Sequence, residues 1–235
     1  MGSRYRKLVL FDIDGTLLWS AGAGRSAISQ ALTAEFGAAG PIDGYRFDGK
    51  TDPQIVTELM TAAGHPDAES ESRIAAVCRR YLELLRVELA TRKTGIRLYP
   101  GIDALLAAME RRHDGLVGLL TGNLALGAEL KLTAAGLDPA RFRVGAYGSD
   151  SAVRAELPAI AVARAAPLMG RVPHGKEIVI IGDTPADMSC GLGVGARALG
   201  VATGRHSVVD LLAAGADVAF EDLTDTDPVL DAIYA

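Results

Sequence analysis

LVLFDIDGTLLWS, residues 8–20, begins as an apolar run from Leu8 to Phe11 and then sets Asp12 and Asp14 one residue apart, with Gly15 and Thr16 directly after. A short apolar run ended by a glycine-containing turn predicts a buried strand. Two like charges at the end of such a strand repel each other, and low-dielectric surroundings strengthen the repulsion. The rest of the chain is therefore expected to supply something that offsets it.

Composition sets the frame for that search. A chain of 235 residues buries roughly 70–75% of the surface its unfolded form exposes, enough for one substantial core, or a core plus a small inserted domain. Cys78 and Cys190 are isolated, form no CxxC pair and show no metal-ligand spacing, which fits a reducing cytoplasm. The net charge of −5, with no cluster of Lys and Arg, argues against nucleic acid or an anionic membrane as partner. No long apolar run and no signal-peptide pattern occur, so the expectation is a soluble cytoplasmic protein, monomer or homodimer.

After the first strand the period changes. Ala27, Ile28, Ala31, Leu32 and Phe36 recur at helical spacing; Asp52 and Pro53 read as N-cap and first position of a second helix that stops at Gly64. A third helix carries Ile74, Val77, Cys78, Tyr81, Leu82, Leu85 and Leu89 on one face. From Pro100 onward helices and strands alternate: helix 102–113, strand 115–121, helix 125–135, strand 142–146, helix 156–169, strand 177–182, helix 186–193, strand 197–202, then a short strand at 217–220 and a final helix. This rhythm predicts an α/β fold, a Rossmann-like parallel sheet with helices on both faces. Residues 1–18 and 98–235 are expected to form the catalytic core, and 19–97 an inserted α-helical cap domain with its own small core.

Open parallel sheets bind ligands at the carboxyl ends of their strands. In this chain those ends carry Asp12 and Asp14, then LLTGN with Thr121, Gly122 and Asn123, then IVIIGDTPAD with Asp183 and Asp187. An aspartate that attacks phosphorus must approach a dianion, and a divalent cation resolves that conflict. Mg²⁺ prefers oxygen ligands, so Asp12, a main-chain carbonyl near Asp14, and Asp183 make the expected set. Asp12 would form an aspartyl-phosphate, while Asp14, held off the metal with a raised pKa, would act as acid and then base. Thr121, Asn123 and the main chain around Gly122 are the expected donors to phosphoryl oxygens. Arg154, in SDSAVRAELP, is the best-placed cation opposite them, with Lys176 as rival.

DIDGT, LLTGN and GDTPAD, in this order with a helical insert after the first, resemble the haloacid dehalogenase-like superfamily and its phosphoglycolate-phosphatase-like branch. The resemblance implies Asp12 as nucleophile, Asp14 as acid/base, Thr121 on phosphate, and Asp183 and Asp187 serving Mg²⁺. The family's third motif is normally a lysine; here VRAELP puts Arg154 in its place, and Arg is not interchangeable with Lys. Relatives that cleave carbon–halogen or carbon–phosphorus bonds lack an acid at the second position, so Asp14 favours a phosphatase acting on a small phosphate ester. A sugar phosphomutase and a phospho-accepting signalling module are the alternatives.

Blander readings compete at several positions. Thr184-Pro-Ala-Asp187 is also a helix-capping sequence, and a capping and a metal role can coexist at Asp187. AGAGRS at 21–26 lacks phosphate-loop spacing and reads as a hinge and helix start, with Arg25 solvated. Lys50 and Thr51 lie in a turn before the second helix, where a lid would touch substrate. The four histidines and Trp19 show no paired spacing, and packing, capping or exposure accounts for them.

Overall fold

The computed structural model describes residues 5–235. The apolar run of the opening stretch is β1 (Lys7–Phe11), buried along its whole length. It lies in a six-stranded parallel sheet with β4 (Gly115–Thr121), β5 (Val144–Tyr147), β6 (Ile178–Gly182), β7 (Arg197–Val201) and β8 (Val218–Phe220), in the order β5-β4-β1-β6-β7-β8. Strand order reverses beside β1, whose neighbours are β4 and β6. This is where such a sheet opens a crevice at its carboxyl edge.

The period of two along β1 divides the core. Val9 and Phe11 join the cluster under α4 (Ile102–Arg112), α5 (Ala125–Ala134) and α9 (Thr226–Tyr234). Leu8 and Leu10 join the opposite cluster with Leu157, Ala161 and Ala165 of α6 (Leu157–Met169). Helices α7 (Pro185–Cys190) and α8 (Val208–Ala213) cover the β7 side of that face through Met188 and Leu211. Both faces are closed, as continuous apolar strands require.

Three helices, α1 (Ala23–Phe36), α2 (Asp52–Ala62) and α3 (Glu71–Thr91), fill the segment between β1 and α4. Val77, Tyr81, Leu85 and Leu89 form the buried stripe of α3. The apolar cluster of these helices is not theirs alone: Leu124 belongs to it, and Leu130 and Ala134 of α5 pack against it. The expected private core of the insert is therefore shared with a helix of the sheet layer. A two-residue antiparallel pair, β2 (Leu18–Trp19) with β3 (Arg97–Leu98), joins the two ends of the insert, a feature absent from the sequence reading because neither strand has length enough for a pattern.

Boundaries shift where a side chain finds a better partner. The N-cap of α2 is Thr51, whose Oγ accepts from Gln54 N–H at 3.2 Å, so Asp52 becomes the first helical residue instead of the cap. Strand β5 starts at Val144, after Phe142 has closed the Pro139–Arg141 3-10 turn and set its ring edge-on to Phe11 at 6.5 Å. Helix α7 stops at Cys190 and continues as a 3-10 turn through Val194.

Candidate active site

The crevice at the carboxyl edge contains a cavity of about 210 Å³, whose lining includes Asp12, Asp14, Thr121, Lys131, Arg154 and Asp183. The end of β1 delivers Asp12, which is 6% exposed, and the end of β6 delivers Asp183, 5% exposed. One carboxylate oxygen from each of Asp12, Asp183 and Asp187 falls within 4.8 Å of the others. Gly15 makes the approach of the first two feasible: its φ is +89°, and a Cβ there would overlap the Asp183 carboxylate.

Such crowding is costly. Burial pushes the Asp12 carboxyl up to about 7; Arg154 pulls the other way, and Asp187 and Asp14 add to the rise. Asp183 is raised well above the ordinary carboxylate range, by burial first and then by Asp187 and Asp12, against a 3.0 Å hydrogen bond from Thr16 Oγ. A hard divalent cation fits this donor set, because it takes carboxylate oxygens and removes the repulsion at once.

Arg154 does stand in this cluster. It sits on the 3-10 turn Arg154–Glu156 after β5, buried, with Nη2 paired to Asp187 Oδ1 and 3.4 Å from Asp12 Oδ1. Its Nε is buried without a hydrogen-bond partner among the described residues. The rival cation Lys176 precedes β6, at the opposite edge of the sheet, and pairs with Asp217 at 2.8 Å. Asp187 combines two duties: Oδ2 accepts from Thr184 N–H and Oγ in the capping box of α7, while Oδ1 faces Arg154.

The acidic pair divides differently from expectation. The raised member is Asp12; burial would raise Asp14 too, but the Lys131 ammonium and hydrogen bonds from Lys131, Asn123 and Ser20 hold it below the ordinary range. Lys131 Nζ lies 2.6 Å from Asp14 Oδ2 and 2.6 Å from Asn123 Oδ1. Sequence reasoning missed this lysine. Its signal was its place on α5, where Gly127, Ala128, Lys131 and Leu132 form the buried face: a charge at a core position of an otherwise apolar stripe.

Asn123 departs from its expected part. Its amide nitrogen donates to Asp14 Oδ2 at 2.9 Å and to Thr121 Oγ at 2.8 Å, which uses both N–H groups inside the site and leaves none for a phosphoryl oxygen. Thr121 Oγ accepts that bond, and its own proton is available to donate. Gly122 admits the insert: a Cβ there would collide with the Lys50 carbonyl, and its own carbonyl accepts from Asp52 N–H at 2.8 Å.

Among the insert residues, Lys50 lines the cavity but is held by Glu58 at 2.5 Å and Tyr45 at 2.9 Å. Thr51 is fully buried and donates to the Ala152 carbonyl at 2.8 Å while capping α2, so its hydroxyl serves the fold. Arg25, half-buried, is not free in solvent: it donates to the carbonyls of Ile42 and Tyr45, stacks 4.2 Å over Phe47 and borders the cavity. Trp19, 44% exposed, is at the cavity rim. Asp52, also missed, accepts from Leu124 N–H at 2.9 Å, and burial raises its carboxyl to about 6 against the pull of Lys131.

Both cysteines are free, and among the described residues no helix is long and apolar enough to cross a membrane. A search of curated protein sequences returns no match. Among solved structures, a hydrolase from Pseudomonas syringae is similar over 98% of this chain and 100% of its own, with TM-score 0.74 and 22% identity. A predicted phosphoglycolate phosphatase from Haemophilus somnus is similar over 97% and 99%, with TM-score 0.70 and 19% identity. CbbY from Rhodobacter sphaeroides, in complex with phosphate, is similar over 94% and 96%, with TM-score 0.70 and 21% identity. The model of the haloacid dehalogenase-like hydrolases matches residues 9–191, and the chain belongs to that family.

Proposed function

We propose that the protein is a Mg²⁺-dependent phosphatase that hydrolyses a small phosphorylated metabolite through an aspartyl-phosphate on Asp12. The observation that carries the reading is the convergence of Asp12, Asp183 and Asp187 within a shared ion's reach, beside a guanidinium that lines the same cavity. An acid cluster calls for a cation, and a cation-bearing cavity with an arginine in its wall suits an anion. A phosphate ester bound with Mg²⁺ satisfies both. The phosphate in the CbbY complex is consistent with this ligand class.

In this reading an Asp12 carboxylate oxygen attacks phosphorus, the ester P–O bond breaks, and the leaving oxygen takes a proton from the Asp14 carboxyl, which carries that proton only once the bound phosphate dianion offsets the pull of Lys131. Asp14 then accepts a proton from the water that attacks phospho-Asp12, so inorganic phosphate leaves and both acids return to their starting state. Arg154 and the Thr121 hydroxyl donate to the phosphoryl oxygens, which gain their strongest bonds as charge spreads over them. Asp12, Asp183 and Asp187 would hold Mg²⁺, with the main chain near Asp14, and Asp187 would also position Arg154. When bound, the ion supplies charge neutralisation at the phosphoryl group. The segment 19–97 serves as the cap that encloses the substrate, and the cavity of about 210 Å³ suits a metabolite of a few carbons. Two free cysteines agree with a reducing, cytoplasmic compartment.

A panel of phosphorylated metabolites assayed for phosphate release with Mg²⁺ present tests the reading. Turnover is expected for the wild type and none for Asp12→Asn, with the folded signal of both intact. Turnover retained in the variant removes Asp12 as nucleophile, and accumulation of an isomerised sugar phosphate in place of inorganic phosphate makes the enzyme a mutase.

A further inference from the structure

Lys131 is a buried cation outside the three motifs that define the site. Its side chain is 6% exposed, whereas that of Asp14 is 41% exposed and opens to the cavity. A lysine is seldom buried without a reason, because its long stem loses rotamer freedom and its ammonium loses hydration. Here the ammonium meets Asp14 Oδ2 and Asn123 Oδ1, both at 2.6 Å, and the Asn123 amide returns to the same Asp14 oxygen at 2.9 Å. The three side chains close a ring of hydrogen bonds on Oδ2 alone. Asp14 Oδ1 is left with one long bond, 3.3 Å from Ser20 Oγ.

We infer that Lys131 is a positioning residue for the acid/base carboxylate: with Asn123 it clamps Oδ2 of Asp14, so that Oδ1 is the oxygen presented to the ester leaving group. The inference rests on the phosphatase reading and adds a residue to it. Asp14 stands on the loop after β1, where free rotation of its carboxylate would scatter both oxygens between cavity, metal side and solvent. The clamp removes that freedom.

A residue that acts through the general acid matters in proportion to how much the leaving group needs a proton. Nitrophenolate leaves readily without one; an alkoxide does not. With Mg²⁺ present, kcat for 4-nitrophenyl phosphate and for the best alkyl phosphate of the panel is compared across variants. Lys131→Met should lower kcat for the alkyl ester by about 10²-fold, the lower end of what acid–base assistance contributes, and should alter the nitrophenyl reaction by less than about fivefold, with KM little changed in both. Lys131→Arg should recover part of the alkyl activity. An equal fall on both substrates, or a change confined to KM, overturns the inference.

The cycle with Asp14 guards against misfolding of the single variant, since Asp14→Asn/Lys131→Met removes both charges together. In the Asp14→Asn background the added Lys131→Met should change alkyl turnover by less than about twofold, because a residue that works only through Asp14 has nothing left to position. A further tenfold loss there overturns the inference. Wild-type protein inactive on every ester would instead remove the phosphatase reading on which it stands, a result separable from any ratio between variants.

Discussion

Arg154 shows how one side chain can make an overcrowded acidic pocket workable. It pairs with Asp187 and approaches Asp12 at 3.4 Å. A guanidinium fork suits that double engagement better than a point charge. Arg154→Met should lower kcat for phosphate release by about 10²–10³-fold, the loss seen when one charge-stabilising donor is removed, and Arg154→Lys should fall between it and the wild type. Steady-state release of inorganic phosphate measures this, and a Met variant within threefold of wild type would sink the assignment. The residue also illustrates a reading that could be made in sequence: a cation was wanted opposite the TGN segment, and VRAELP offered one. Lys131 could not be found by the same route. Its position in ELKLTAAG is only a weak signal, because a helix with one charge on its apolar stripe looks like an ordinary exposed helix until its neighbours are known.

At the scale of elements, the contact between α2 and the start of α5 ties the insert to the sheet layer. Asp52 N–H donates to the Gly122 carbonyl, and Asp52 Oδ2 accepts from Leu124 N–H, so one residue bridges both ends of the TGN loop. The cost is a buried carboxyl whose pKa rises to about 6. A folded pKa above the unfolded one means that the folded state favours the protonated form. The stabilisation is therefore full below pH 4 and is lost as pH climbs through about 6. Asp52→Asn keeps an acceptor for Leu124 and removes the titration, so its stability relative to wild type should rise between pH 4 and pH 7 by on the order of 2–3 kcal/mol. Chemical denaturation at several pH values gives that difference directly, and a difference that stays flat with pH contradicts the assignment. The element boundaries around this contact were partly legible: Asp52-Pro53 marked a helix start, but only the packed structure moved the cap to Thr51, because Asp52 was needed by Leu124.

Across the whole molecule, the acidic cluster is a site that works against the fold when no cation is bound. Asp12 and Asp183 are both raised by burial and by their acidic neighbours, so the folded protein without metal carries repulsion that Arg154 offsets only in part. Mg²⁺ at one hundred times its dissociation constant should stabilise the fold by about 2.7 kcal/mol, which for a chain of this size corresponds to a rise in Tm of roughly 5–10 °C. Asp183→Asn should melt higher than wild type in chelator and gain little from Mg²⁺. Thermal unfolding with and without the ion checks both halves, and a full Mg²⁺ shift in the variant removes Asp183 from the metal site. The same repulsion is the reason an acid pair at a strand end could be read as functional at all: a purely structural sequence would have no cause to keep it.

Local pattern determined much of this protein: the buried β1, the helix–strand alternation after Pro100, the helical insert, and the placing of Asp12, Asp14, Thr121 and Asp183 at strand ends, because periodicity and turn residues act over a few positions of chain. What only the tertiary structure decided was which of those groups face one another. Packing of α3 on α5 buried Lys131 and turned it toward Asp14, closed Asn123 into the same ring, and reversed which member of the acidic pair is raised. Those outcomes depend on contacts between residues far apart along the chain, Asn123 and Lys131 both more than a hundred positions from Asp14, and electrostatic effects follow distance in space, not distance along the chain.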